Sequence, residues 1–212
     1  MGKVDIRFRL LGSEIPADHG YLLFAAVSEL VPAFHHDEEI GIHPISGRLI
    51  GNRQLAFTER SLLTIRIDSE RVSQTLGLTG KALRIGPAVV QVGVPHVLAL
   101  EPSPRLYSRL VVIKGFLEPD AFLEAAGRQL QALEIRGEVS LVPQLQIAAA
   151  NQGRTGGSRS PYVRRTLRIR DKEVVGFAVR AEGLTAEESV RLQEQGLGGR
   201  RRFGCGVFVP AE

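Results

Sequence analysis

Apolar and charged residues alternate over residues 3–11, with Val4, Ile6, Phe8 and Leu10 set against Lys3, Asp5, Arg7 and Arg9. A period of two puts successive side chains on opposite faces, so this stretch predicts a half-buried strand. Pro16-Ala17-Asp18-His19-Gly20 breaks the pattern, and over residues 21–32 Leu22, Phe24, Ala25, Val27, Leu30 and Val31 recur at helical spacing. Residues 40–46 predict a short strand closed by a Ser-Gly turn. Residues 61–68 predict a firmer one, with Leu63, Ile65 and Ile67 on one face. A short helix over 70–76 is stopped by Gly77, and residues 81–100 read as two strands around Gly86-Pro87.

Glu101-Pro102-Ser103-Pro104 has the composition of a linker, and a similar rhythm follows it. A strand is expected over 106–114. Pro119 suits the first position of a helix, whose buried face carries Phe122, Ala125, Ala126, Leu130 and Leu133. Residues 139–142 form a strand, residues 148–162 a Gly-, Ser- and Arg-rich loop, and residues 164–170 and 173–181 a hairpin around Asp171-Lys172. Thr185-Ala186-Glu187-Glu188 is a capping box that opens a helix ended by Gly196, and residues 203–209 give the last strand. Each half therefore reads as β-α-β-β-α-β. The expected class is α+β, with tandem ferredoxin-like (RRM-like, βαββαβ) domains over 1–101 and 105–212. Such a fold carries many functions, so the chemistry has to come from particular residues.

Composition narrows the setting. The 212 residues suit two small domains, and a 43% hydrophobic content is enough to fill their cores. No stretch reaches the roughly 20 apolar residues of a bilayer span. The first residues alternate rather than forming a secretory signal, and they lack the Ser or Thr of a myristoylation site. The one cysteine, Cys205, excludes an internal disulfide and a cysteine-based zinc site, and it fits a reducing cytoplasm. The net charge of +4 is modest, but its distribution is not. Arg154, Arg159, Arg164, Arg165, Arg168, Arg170 and Lys172 are opposed in their stretch only by Asp171, and Arg200, Arg201 and Arg202 are consecutive. One such run reads as a solvated face. Two in the same half point to a polyanion, for which the planar arginine fork is well suited.

The most specific segment is Gly196-Leu197-Gly198-Gly199-Arg200-Arg201-Arg202-Phe203-Gly204-Cys205-Gly206. Glycines allow positive φ and close approach, and a row of amide N–H groups can hold an anion. A dinucleotide-binding fingerprint needs a strand before its glycines and a helix after them, the reverse of the order here, and no Gly-Lys-Ser/Thr follows for a Walker loop. Five glycines in eleven residues also exceed the needs of one turn. Gly196-Leu197-Gly198, five residues and Gly204-Cys205-Gly206 are similar to the glycine-rich loop of the RAMP superfamily. Within it the chain resembles the CRISPR-associated Cas-six family, and its MYXAN-type branch in particular. That likeness extends to Ile15-Pro16-Ala17-Asp18-His19-Gly20-Tyr21, Gly41-Ile42-His43-Pro44-Ile45 and Val112-Ile113-Lys114-Gly115-Phe116. The resemblance implies tandem ferredoxin-like domains, a prokaryotic cytoplasmic setting and no cofactor. It also implies a metal-independent endoribonuclease that cuts CRISPR repeat RNA, leaving 5′-hydroxyl and 2′,3′-cyclic phosphate ends. Non-cutting members share the loop, so a non-catalytic RNA-binding subunit of a CRISPR effector complex is the alternative. A ferredoxin-like protein binding a small phosphorylated ligand is a third reading.

In such a cleavage the RNA's own 2′-hydroxyl attacks the neighbouring phosphorus. The protein moves two protons, for which histidine is suited, and stabilises the added negative charge, for which arginine, lysine or N–H groups serve. Of five histidines, His96 sits in an apolar strand pattern and reads as structural. His19, His35, His36 and His43 are the catalytic candidates. In the resembled family the histidine commonly follows the first helix, which puts His35 first and His36 next. His19 could cap the helix or orient RNA, and His43 could be a partner. The same histidines with Asp37 could supply metal ligands, but paired histidines on a turn rarely aim at one point, and no metal is expected. Asp37-Glu38-Glu39 beside such a site would either raise a histidine pKa or form a solvated turn. The expected RNA-binding residues are Lys114, Arg164, Arg165, Gly196, Gly198, Gly199, Arg200, Arg201, Arg202, Gly204 and Gly206. Tyr162 and Phe203 are candidates for base stacking. Some members of the family use a tyrosine from the first helix and a lysine nearby. Tyr21 begins the helix here, but no lysine lies close to His35 in sequence, which leaves Lys114 or an arginine for that role.

Overall fold

The computed structural model describes residues 2–144 and 160–211. Arg154, Arg159 and most of the loop expected over 148–162 lie outside them. In the first half, β1 (Lys3–Leu11), β2 (Glu14–Pro16), α1 (Gly20–Leu30), β3 (Gly41–Ile42), β4 (Arg48–Ile50), β5 (Gln54–Ala56), β6 (Leu62–Asp68), β7 (Ala82–Ile85) and β8 (Ala88–Ala99) follow one another. The main sheet is antiparallel in the order β3-β6-β1-β8-β7. The alternation of β1 holds, since Ile6 and Phe8 are fully buried beside Leu63, Ile65 and Ile67 of β6. On α1 the buried face is Leu23, Phe24, Ala26 and Val27. The expected face is displaced, because Ala25 and Leu30 are exposed. The helix expected at 70–76 is a run of 3-10 turns from Ser69 to Leu78. A small sheet, β2-β5-β4, was not predicted.

The second half repeats the plan with β9 (Arg105–Val111), α2 (Pro119–Ala132), β10 (Glu138–Leu141), β11 (Arg164–Ile169), β12 (Lys172–Glu182), α3 (Ala186–Gln195) and β13 (Val209–Pro210). Its sheet runs β10-β12-β9-β13, with β11 hairpinned onto β12. With the edge strands β7 and β11 set aside, both sheets have the ferredoxin-like order, so the fold is a tandem pair of ferredoxin-like domains. The capping box forms as expected: the Glu188 N–H donates to Thr185 Oγ1 at 3.2 Å, and the Thr185 N–H donates to Glu188 Oε2 at 2.9 Å. The last strand is shorter than residues 203–209. Arg201–Phe203 instead form a 3-10 turn flanked by left-handed Arg200 and Gly204.

The polar face of β1 is covered at Lys3 and Asp5, where the second domain packs against it, while Arg7 and Arg9 remain exposed. Arg66 is 3% exposed and donates from both sides of its fork to Asp5, at 2.8 and 2.9 Å. Its remaining nitrogen donates to the carbonyls of Gln193 at 2.8 Å and Phe208 at 2.7 Å, so one guanidinium ties the first sheet to the second domain. Burial alone would raise the Asp5 pKa, but His43 and Arg66 outweigh it and hold the carboxyl well below the usual carboxylate range. At the same seam the Lys3 N–H donates to Glu194 at 2.9 Å, and the Gln193 side chain donates to the Glu101 carbonyl at 2.8 Å.

Candidate functional site

Pro32–Phe34 form a single 3-10 turn after α1, and Phe34 is buried as its anchor. The chain therefore turns outward at once, and His35 and His36 are both exposed. Their rings meet edge to face with centroids 4.8 Å apart, and His35 stacks on Phe24 at 6.4 Å. Phe24 in turn packs edge-on against Phe203 of the glycine-rich loop at 4.9 Å. Two imidazoles and the basic loop thus share one side of the molecule, although about 165 residues of sequence part them.

Arginines bolt the two together. Arg202 donates to the His35 carbonyl at 3.1 Å, and its guanidinium lies over the rings of Phe24 and Phe203 at 5.3 and 5.2 Å. Arg201 caps the end of α3, donating to the carbonyls of Gln195 at 2.6 Å and Glu194 at 3.2 Å, and it reaches the Glu38 carbonyl at 3.1 Å. Among the three consecutive arginines, Arg200 is the exposed one. The acidic residues beside the histidines are accounted for in the same way. Asp37 pairs with Arg71 and accepts the Glu39 N–H at 2.8 Å, while Glu39 pairs with Lys3 at 3.2 Å and Arg201 at 3.4 Å. The hydrogen bond from Lys3 is the largest cause holding the Glu39 pKa down. These carboxylates are clips between segments, and their charge is matched by local cations.

The glycine-rich loop is built differently from the expectation. The amides of all five of its glycines donate inside the protein: Gly196 to Leu192, Gly198 to the Gln129 side chain, Gly199 to Val112, Gly204 to Arg201 and Gly206 to Leu110, at 2.7–3.0 Å. The glycine amides are thus committed to the fold, and the loop presents Arg200 to solvent. The glycines serve close packing instead. A Cβ on Gly206, where φ is +66°, would collide with the carbonyl oxygen of Leu197, and one on Gly198, where φ is +69°, with that of Val112. Gly206→Ala is expected to cost more than about 1 kcal/mol from its backbone alone, and more from the collision. Urea unfolding measures it, and an unchanged midpoint would contradict this account of the loop.

His19 and His43 lie apart from the exposed pair. His19 is 2% exposed, with Nδ1 3.0 Å from the Pro16 carbonyl and Nε2 accepting the Ile45 N–H at 2.9 Å. Both nitrogens are occupied by backbone. Burial lowers its pKa from the ordinary 6.5 to about 4, so the ring is neutral. His43 is largely buried beside Asp5, with Nε2 at 3.4 Å from its carboxylate, and burial lowers its pKa as well. His19 therefore has no free nitrogen for a ligand and braces the β2–β3 region, whereas His43 stands at the domain seam with Nε2 near Asp5 but without a hydrogen-bond partner among the described residues. The metal-ligand set of His35, His36, His43 and Asp37 does not converge either: His43 belongs to Asp5 and Asp37 to Arg71. Among the described residues no three His, Cys, Asp or Glu side chains are grouped to hold a metal ion.

A pH dependence follows from His19. Below about pH 6.5 an unfolded chain protonates this imidazole, whereas the folded chain does so only near pH 4. Between those values the unfolded state binds more protons, so the full stability present above 6.5 falls as the pH drops toward 4. The loss is about 3 kcal/mol. Urea midpoints at pH 7 and pH 4.5 should show most of this fall in the wild type and a smaller one in His19→Gln. A flat wild-type profile would contradict it.

Of the other expected residues, Lys114 is exposed in the turn after β9, and Arg164 lies over the Phe177 ring at 5.3 Å. Tyr162 packs against the second core, and Phe203 is half-buried against Phe24 and Tyr21. The Tyr21 hydroxyl accepts from Arg170 at 3.2 Å. His96, read as structural, is exposed on β8 opposite Arg7. The sequence did not single out Phe24, the ring that joins His35 to the loop, nor Arg53 and Arg109, which line a cavity of about 350 Å³ together with Arg164 and Arg165. A signal for Arg109 was present in the alternation of β9, where Leu106, Ser108 and Leu110 are buried and Tyr107 and Arg109 are not. Among the described residues no helix is long and apolar enough to cross a membrane.

The family model described as Cas6 Crispr matches residues 4–212. A CRISPR-associated endonuclease Cas6 from Myxococcus xanthus (strain DK1622) is 38% identical over 207 residues, which is 98% of this chain and 81% of that protein. Among solved structures, one characterising a Cas6-related gene from Pyrococcus furiosus superposes with a TM-score of 0.68 at 15% identity, covering 100% of this chain and 99% of that one. A RAMP protein described as binding different RNA substrates gives 0.67 at 11% identity, with both chains fully covered. At these identities the two structures speak for the fold alone.

Proposed function

Because the chain belongs to the Cas6 family of CRISPR-associated proteins, we propose that it is an endoribonuclease that cuts CRISPR repeat RNA, with His35 or His36 moving a proton at the scissile phosphate. The observation that carries this reading is the exposed imidazole pair, fastened by Arg202 to the arginine-rich loop. The Myxococcus relative, named an endonuclease, supports it.

In the proposed reaction the 2′-oxygen gives up its proton and bonds to the adjacent phosphorus. The bond from phosphorus to the 5′-oxygen breaks, and that oxygen takes up a proton. The products are a 2′,3′-cyclic phosphate and a 5′-hydroxyl, and the step needs no metal. An exposed imidazole can accept or deliver the proton near neutral pH. Arg200 and Lys114, both exposed, are suited to the charge that gathers on the phosphorane oxygens. With His19 occupied by backbone and His43 largely buried beside Asp5, the acid–base work falls to the exposed His35 and His36 in this reading. No hydrogen bond from a described residue orients either ring, and that favours, as the second reading, an RNA-binding subunit that does not cut.

Incubation with repeat RNA from the array of the same genome, in the presence of EDTA, tests the proposal. One cut per repeat with a cyclic phosphate end supports it. Binding without a cut supports the second reading, and magnesium-dependent cleavage giving 5′-phosphate ends contradicts the first. Affinity should fall with salt by about 0.7 logarithmic units per tenfold salt for each phosphate neutralised, and replacing Arg200–Arg202 with alanine should flatten that slope.

A further inference from the structure

Arg202 is not the only side chain that fastens the histidine turn. The chain leaves the first core at Phe34 and re-enters it at Ile40, both fully buried, so residues 35–39 are an excursion over the surface. In its middle the Asp37 carboxylate turns inward: that side chain is 9% exposed, whereas His35, His36, Glu38 and Glu39 are exposed. One carboxylate oxygen accepts the Glu39 N–H at 2.8 Å and closes the second half of the turn, and the other accepts from the Arg71 guanidinium. Burial by itself would raise the Asp37 pKa, but the Arg71 hydrogen bond and the Glu39 amide outweigh it and hold the pKa down.

Arg71 belongs to neither the turn nor the glycine-rich loop. It comes from the 3-10 run Ser69–Leu78, 34 residues beyond Asp37. That run is anchored in its turn: Thr75 and Leu78 are fully buried, Thr75 Oγ1 donates to the Val72 carbonyl at 2.8 Å, and Val72 packs on the first core. The guanidinium also donates to the Gln74 side chain at 3.1 Å and lies 3.8 Å from the Asp68 carboxylate. The turn is thus tied at Asp37 to the core of the first domain, and at the His35 carbonyl to Arg202 of the second, at 3.1 Å. His36 stands between the two ties. Neither tie uses a ring nitrogen, so both imidazoles stay free for chemistry while the main chain on either side fixes the direction of their Cα–Cβ bonds.

We propose that Arg71, acting through Asp37, is a positioning residue for cleavage: it sets the direction in which His35 and His36 present their rings to the scissile phosphate. The inference rests on the reading of this turn as the site of acid–base catalysis. Among the described residues the Arg71 side chain bonds to Asp37, Gln74 and Asp68 and to neither imidazole, so its contribution is to geometry. Without it a largely buried carboxylate loses its partner, and the turn relieves that cost by swinging outward to hydrate it. A displacement of roughly 1 Å at the imidazoles is enough to cost on the order of 10²-fold in rate.

The test compares the full-length wild type with Arg71→Gln, Arg71→Lys, Asp37→Asn, and Arg71→Gln combined with Asp37→Asn. Single-turnover cleavage of repeat RNA at saturating protein gives the rate, binding across a salt series gives the affinity, and thermal unfolding reports the fold. Arg71→Gln should cut about 10–10²-fold more slowly, with unchanged RNA affinity and salt slope. Arg71→Lys keeps a cation beside Asp37 and should regain part of the rate. The combined variant should lose no more than the worse single one, because both act through one contact. The imidazole Cε1–H NMR signals of His35 and His36 give a readout that needs no RNA: they should shift or broaden in Arg71→Gln and return toward their wild-type positions in Arg71→Lys. If Arg71→Gln does not fold, Arg71→Lys and Asp37→Asn carry the same comparison. A wild-type rate in the variants, or a lost rate with unmoved imidazole signals, would overturn the positioning role. A weaker affinity with a flatter salt slope would make Arg71 a phosphate contact and overturn it as well. Wild-type protein that cuts no repeat RNA, with imidazole signals that still move in Arg71→Gln, would sink the nuclease reading and leave the tie between Arg71 and the turn standing.

Discussion

Replacing His35 and His36 together with alanine is expected to lower single-turnover cleavage of repeat RNA by about 10²–10⁴-fold while RNA binding is retained. The reason is geometric. Both side chains are exposed, and the hydrogen bond that fastens their turn uses the His35 carbonyl rather than its ring. The substitution removes the imidazoles and leaves the Arg202 clamp, so a loss of rate is not a loss of fold. The single variants divide the work. If one ring acts alone, its variant should reproduce the whole loss and the other should cut almost normally. If both act, each single loss should be smaller than that of the pair. A double variant that cuts at the wild-type rate would move the chemistry elsewhere on the surface.

Arg66→Ala is expected to destabilise the protein by about 3–5 kcal/mol, measured by urea unfolding. Four donations end on this guanidinium's partners: both Asp5 oxygens and the carbonyls of Gln193 and Phe208. Its removal leaves a buried carboxylate unpaired and two carbonyls without their donor, each of which costs free energy. Replacing Asp5 and Arg66 together with apolar residues of similar volume should recover much of the loss, since the uncompensated charge is then gone. A cost below about 1 kcal/mol for Arg66→Ala would mean that the seam is solvated and the domains are held by apolar contact alone.

How far the chain could be read in advance depended on the range of the interactions. The alternation of residues 3–11 gave β1 its buried Ile6 and Phe8, and the Thr185–Glu188 box opened α3, because both are set by neighbours in sequence. The same alternation assigned Lys3 and Asp5 to solvent, and they are buried, because the second domain covers that end of the strand and no local pattern announces it, whereas Arg7 and Arg9 are exposed as the alternation predicts. The glycine spacing of residues 196–206 identified the loop but not its role. The amides of Gly198, Gly199 and Gly206 are consumed by Gln129 of α2, by Val112 and by Leu110 of β9, partners some 70–95 residues away. The histidine cluster divided on the same ground: His19 is a brace through its backbone contacts and His43 is buried beside Asp5 at the domain seam, both of which depend on tertiary packing. Asp37 and Glu39, puzzling beside a phosphate site, were explained only when Arg71, Lys3 and Arg201 came into view.

The most direct measurement is cleavage of a repeat RNA carrying a single 2′-deoxy nucleotide on the 5′ side of the cut. With its attacking oxygen removed and the rest of the strand intact, the RNA should bind wild-type protein with unchanged affinity and stay whole. Cleavage of that RNA at the same position would mean that water, not the RNA itself, attacks the phosphorus, and it would contradict the role assigned to the imidazole pair.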